Sequence, residues 1–178
     1  MMGNSDRLPP IPQEKWTQDQ RRYAQEIIAG PRGQLIAPFI PLMRSAELMG
    51  HAQRMGEYLR YRSAIGHRLS ELAILIVAHQ WNQQVEWAIH APIAMRAGIS
   101  EASIESLKQG REPTTLLDDE VLVYQFCREL QATQQISDKT WNDAVGLLGD
   151  KGIIDLLGIV GYYTFLAMVM NAARTPFP

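Results

Sequence analysis

The sequence predicts an all-α fold of about seven or eight helices, and three observations carry that expectation. No segment sustains the period-2 alternation of a half-buried strand. Apolar residues recur instead at helical spacing, as in Leu48, Ala52, Met55 and Leu59. Capping residues also fall where such runs begin and end: Thr17, Ser45, Gly98, Ser100 and Ser137.

Taken in order, residues 1–12 are Pro-rich and polar and are expected to run as an extended arm. Gln13 to Ile28 reads as a helix, with Thr17 and Gln20 fitting a capping box and Gly30-Pro31 as its stop. In GPRGQLIAPFIPLMRS the prolines and glycines forbid long regular structure, yet Leu35, Ile36, Phe39, Ile40 and Leu42 call for burial against the core or a partner subunit. Ser45 caps a helix to about Arg62, and Ile65-Gly66 turns the chain.

Glu71 to Gly98 is the organising stretch and reads as two helical pieces. Its first part, Leu72 to Val77, is apolar on nearly every side, as a helix buried by its neighbours should be. Gly98 with Ile99 after it makes a C-terminal cap. Ser100 starts a short helix that Gly110 stops, REPTT is a loop, and Asp118, Asp119 and Glu120 place negative charge in the first turn of the next helix, to about Ala132. Ser137 caps a helix to about Leu148. GDKG then leads to a final apolar helix ending before Pro176.

The length of 178 residues suits one domain spanning 1–178. A net charge of −2 and the absence of any Lys/Arg run argue against nucleic acid as a partner. One cysteine, Cys127, excludes an internal disulfide or a CxxC pair. The first residues lack the apolar stretch of a signal peptide, so a cytoplasmic location is the expectation. Ile153 to Met170 approaches the length of a membrane span, but Asp155, Gly158, Gly161 and Thr164 interrupt it and no basic cluster flanks it. A buried core or subunit-interface helix is expected there, and no membrane partner.

Glu86 and His90 are the residues best placed for chemistry. Four apart on a helix, they stack on one face with Gln83, so a carboxylate could hold the imidazole in one tautomer. The alternative is an ordinary i,i+4 pair on a solvated face. Pro92 interrupts the helix just beyond His90, a kind of break that suits a pocket. Trp81 and Trp87 are expected to bury the pair, and His79 to line the same cavity or sit in the core. Arg44, Arg62 and Arg68 are candidate cations for an acidic substrate, with Arg68 nearest in sequence to Glu71. Glu71 is either helix N-terminal charge or a buried proton carrier. Tyr162 and Tyr163 are core aromatics first and hydroxyl donors second. No dense His/Asp/Glu spacing supports a metal, and no phosphate loop or dinucleotide fingerprint is present, so neither metal nor cofactor is expected.

At these residues the chain resembles the carboxymuconolactone decarboxylase family, within the alkylhydroperoxidase D-like superfamily. The likeness rests on RLSELAILIVAHQWNQQVEWAIHAPIAMRAGIS and extends through GPRGQL, DDEVLVYQF, ISDKTW and GYYTFLAMVMNA. It implies an all-α bundle that associates as a homotrimer or homohexamer. The peroxidase branch uses a glutamate, a CxxC pair and a histidine, which fall on Glu71, Gln83, Glu86 and His90. Both thiols are missing, so peroxidase activity is not expected. The decarboxylase branch keeps a glutamate four before a histidine, matching Glu86 and His90. The resemblance therefore implies cofactor-free decarboxylation of a small carboxylate or lactone in aromatic-compound catabolism. His90 would be the acid/base, with Glu86 as its orienting partner and Glu71 beside them. Arg68 would anchor the anion, and Gln83, His79 and Trp87 would line the substrate site.

Overall fold

In the computed structural model, which describes residues 5–177, Thr17 opens the first helix, α1 (Gln18–Ala29). The capping box is complete: Gln20 N–H donates to Thr17 Oγ1 at 3.2 Å, and Thr17 N–H to Gln20 Oε1 at 2.9 Å. The helix thus starts five residues later than expected, and Gln13–Lys15 forms only a 3₁₀ turn. The next apolar segment folds as predicted into a short ordered piece, α2 (Phe39–Leu42), followed by a 3₁₀ turn. Phe39, Pro41, Leu42 and Met43 are buried there.

The rest of the order is α3 (Ala46–Tyr61), α4 (His67–Gln80), α5 (Gln84–Ala97), α6 (Glu101–Lys108), α7 (Asp118–Thr133) and α8 (Asp138–Ala173). No strand occurs among the described residues. Inside α8 the backbone leaves helical geometry at Gly149, with φ of 66°, a left-handed value suited to glycine. The expected GDKG break is therefore a single-residue kink.

The expected face of α3 is only half right. Ala52 and Leu59 are buried, whereas Leu48 and Met55 point outward. Gly50 and Gly56 set the rotation, because they let the helix approach the rings of Tyr23 and Tyr162 so closely that a Cβ at either position would collide. The buried face accordingly runs through Met49, Gln53 and Gly56 as well.

Helix α4 sits at the centre and touches α3, α5, α6, α7 and α8. Every residue from Leu69 to Ala78 is buried, and each fully buried Leu, Ile or Val contributes about 1.5–3 kcal/mol of transfer free energy. Enclosure on all sides is what its uniform apolarity demanded. Helix α8 is long and apolar enough to cross a membrane, but 56% of its most apolar stretch is buried inside the bundle. Asp155 explains its interruption: it accepts from Tyr58 Oη at 2.9 Å and Ala64 N–H at 2.7 Å, pinning α8 to the α3–α4 turn.

Of the expected N-terminal arm, residues 1–4 lie outside the described ones. Residues 5–12 are non-helical and tied down. Arg7 N–H donates to Ala173 O at 2.8 Å, and Arg44 Nη1 to Leu8 O at 3.1 Å.

Candidate active site

Between α4 and α5 the chain turns at Trp81–Gln83, where Asn82 takes a left-handed conformation with φ of 48°. Asparagine tolerates that conformation better than most residues. Gln83 then caps α5, its Oε1 accepting from Val85 N–H at 2.8 Å, while its Nε2 donates to Asn171 at 2.7 Å. This tight reversal lays α5 against α4 and brings Glu71 of α4 to the face of α5 that carries Glu86 and His90.

The three residues form one buried line. His90 Nδ1 lies 2.6 Å from Glu71 Oε2, and His90 Nε2 lies 3.3 Å from Glu86 Oε2. Glu71 is fully buried, and Glu86 and His90 are each only 2% exposed. The solvated-face alternative therefore fails. The shorter contact belongs to Glu71, so Glu71 rather than Glu86 fixes the ring, accepting a hydrogen bond from Nδ1–H and leaving Nε2 turned to Glu86. Tyr163 packs edge-on against the imidazole with ring centroids 5.1 Å apart.

Burial disfavours the imidazolium and is the largest influence on His90. Hydrogen bonds to Glu71 and Glu86, and the charges of both, outweigh it and raise its pKa above the ordinary 6.5. Burial pushes the Tyr162 hydroxyl up to about 12 and Tyr163 well above its usual range, so both phenols stay protonated donors at neutral pH. The Cys127 thiol, fully buried in α7, is likewise pushed to about 12 and supplies no thiolate.

Beside this line lies a narrow cavity of about 10 Å³, the size of one water molecule. Glu86, Ile89 and His90 form one side of it. Tyr162, Tyr163 and Leu166 of α8, Arg60 of α3, and Arg32, Ile36, Pro38 and Phe39 of the α1–α2 segment close the rest. Three buried polar atoms on residues lining it have no hydrogen-bond partner: Glu86 Oε1, Tyr162 Oη and Arg60 Nε. Buried polar groups are nearly always paired, so three orphans on one cavity mark it as a place for a polar visitor.

Four expected substrate contacts do not line this cavity. Arg68 is held by Asp119 and Glu120 at the head of α7, and those carboxylates neutralise it. Its charge locks α4 to α7. Gln83 spends its amide on the helix cap and on Asn171. His79 and Trp87 are half-buried and, with Gln83, line an open outer pocket shared with Asn82, Lys108 and Phe177. Trp81 does not line the cavity either, so the tryptophan enclosure expected for the pair is provided by tyrosines. Arg44 binds the N-terminal arm, and the Arg62 guanidinium lies over the Tyr58 ring.

Two arginines that sequence reasoning missed, Arg32 and Arg60, are the ones at the cavity. Arg32 stands between two glycines in Gly-Pro-Arg-Gly, a local hint of an ordered turn. Arg60 carries no local signal. His67 also lies near the line, its Nδ1 3.9 Å from Glu71 Oε1 at the exposed start of α4. Although Glu71, Glu86 and His90 come together, the carboxylates engage opposite ring nitrogens, and no group of three or more His, Cys, Asp or Glu able to hold a metal occurs among the described residues.

No protein-family model matches the chain, and the search of curated proteins found no match. Among solved structures the chain is similar to the crystal structure of an uncharacterized peroxidase-related protein from Silicibacter sp. TM1040. The TM-score is 0.75 at 12% identity, covering 95% of this chain and 88% of that one. Likeness at that identity speaks to fold alone: this chain shares the all-α bundle of that structure.

Proposed function

We propose that the protein is a cofactor-free decarboxylase resembling the carboxymuconolactone decarboxylases, acting on a small carboxylated lactone or related acid. The observation that carries this reading is the buried line Glu71–His90–Glu86 ending at the unpartnered Glu86 Oε1 on the cavity. Loss of carbon dioxide breaks a carbon–carbon bond and leaves its electron pair on the substrate carbon. That carbon must then gain a proton. The His90 imidazolium supplies it from Nε2 by way of the Glu86 carboxylate, which delivers it through Oε1; the ring then regains a proton from water while Glu71 holds it in place. Apolar walls from Ile36, Phe39 and Leu166 favour release of a neutral gas over retention of a buried carboxylate.

A second reading, isomerisation or hydrolysis of a smaller ring by the same residues, is favoured by the narrowness of the cavity. Incubation with carboxymuconolactone is the test. The decarboxylase reading expects carbon dioxide released well above the spontaneous rate. Conversion of the lactone without carbon dioxide would support the second reading, and no conversion at all would overturn both.

A further inference from the structure

We infer that Arg32 and Arg60, together with the Tyr162 hydroxyl, form a binding site for the carboxylate of a small organic acid, and that this carboxylate sits in the cavity beside Glu86. The inference rests on the proposed acid/base reading and adds the residues that hold the substrate's carboxylate.

The two arginines differ from those that are held in ion pairs. Arg68, Arg54 and Arg22 each face a carboxylate within ion-pair distance. Arg32 and Arg60 face none among the described residues, although both line a buried cavity. Arg32 Nε is fixed by Gln53 Oε1 at 2.7 Å and its guanidinium lies 5.1 Å from the Phe39 ring centre, which leaves its outer nitrogens uncommitted. Arg60 keeps a buried Nε–H with no acceptor, and Tyr162 a buried hydroxyl with none. Desolvated donors of this kind need an acceptor, and a planar carboxylate matches guanidinium geometry.

Charge points the same way. With His90 protonated, as its carboxylate partners favour, three cations face the two carboxylates Glu71 and Glu86, which leaves one positive charge for a single anionic group. The cavity in its present state admits only a water-sized group, so an acid enters by outward movement of the wall at Ile36, Pro38 and Phe39. Arg32 rides on that same segment, and neighbouring Leu35 and Ile36 are only partly buried. Closure of the segment then brings one of the two cations onto the bound acid.

Calorimetric titration of the full chain with acetate, and separately with inorganic phosphate, tests the assignment. Acetate is expected to bind the wild type more tightly than phosphate, and Arg32→Gln and Arg60→Gln are each expected to weaken acetate by about tenfold or more. Arg54→Gln, on an exposed helix face, should leave it unchanged. Circular dichroism melting checks folding, and Arg60→Lys, which keeps the charge but loses the buried Nε–H, should recover only part of the affinity. Absence of acetate binding to the wild type, equal binding by both glutamine variants, or tighter binding of phosphate would overturn the assignment. His90→Gln separates this inference from the acid/base reading. Turnover that survives His90→Gln while acetate binding still depends on Arg32 and Arg60 sinks the acid/base reading alone. The reverse pattern sinks the anion site alone.

Discussion

Glu71→Ala is expected to lower the unfolding free energy by about 3–5 kcal/mol, the cost of removing one partner from a buried charged pair. Glu71 has no exposure and sits 2.6 Å from His90 Nδ1, so solvent cannot replace it. The loss should also depend on pH in a defined direction. His90 has a folded pKa raised above that of the unfolded chain. The stability it contributes is therefore fully present below about pH 6.5 and is lost as pH rises through the raised folded value. The gap between wild type and Glu71→Ala in urea unfolding should accordingly be widest below that point and narrow above it. A small cost that does not vary with pH would mean that the imidazole and Glu71 are not coupled.

The second large effect concerns rate. Glu86→Gln preserves the shape of the side chain but cannot carry a proton, and positioned acid/base groups contribute about 10²–10⁴-fold to turnover. A fall in kcat of that order is expected for whichever substrate the wild type converts, with the melting curve close to wild type because the amide can still meet His90. His90→Gln should lower kcat likewise, but at a cost in stability, because it leaves Glu71 and Glu86 buried without their cation. If Glu86→Gln turned over at the wild-type rate, the proton would have to reach the substrate by another route, and the orphaned Glu86 Oε1 would need a different explanation.

How much of this was legible in the sequence depends on how local each feature is. The caps at Thr17, Ser100 and Ser137, the Gly98–Ile99 helix end, and the Glu86–His90 spacing are set within a few residues, and all three caps accept the expected backbone N–H. The burial of α4 was legible because its composition left no polar side to face water. The arginines were not. Arg68 was chosen for its nearness in sequence to Glu71, but Asp119 and Glu120 lie some fifty residues on and capture it. Arg32 and Arg60 come to the cavity from different segments, and Gly56 of α3 leaves the room that Tyr162 of α8 and Arg32 occupy there, which no pattern within α3 announces. Gln83 sits at the start of the second helical piece, where the chain reverses, and its amide caps α5 and binds Asn171, so its spacing from Glu86 does not bring it to the cavity.

The central claim is that His90 is a buried proton carrier held between two carboxylates. Titration of the His90 ring by NMR, in the wild type and in Glu71→Gln, tests it most directly. The expected result is a wild-type pKa above the ordinary imidazole value of about 6.5 that falls when Glu71 loses its charge. A His90 that titrates at or below the ordinary value, and does not respond to Glu71→Gln, would contradict the account.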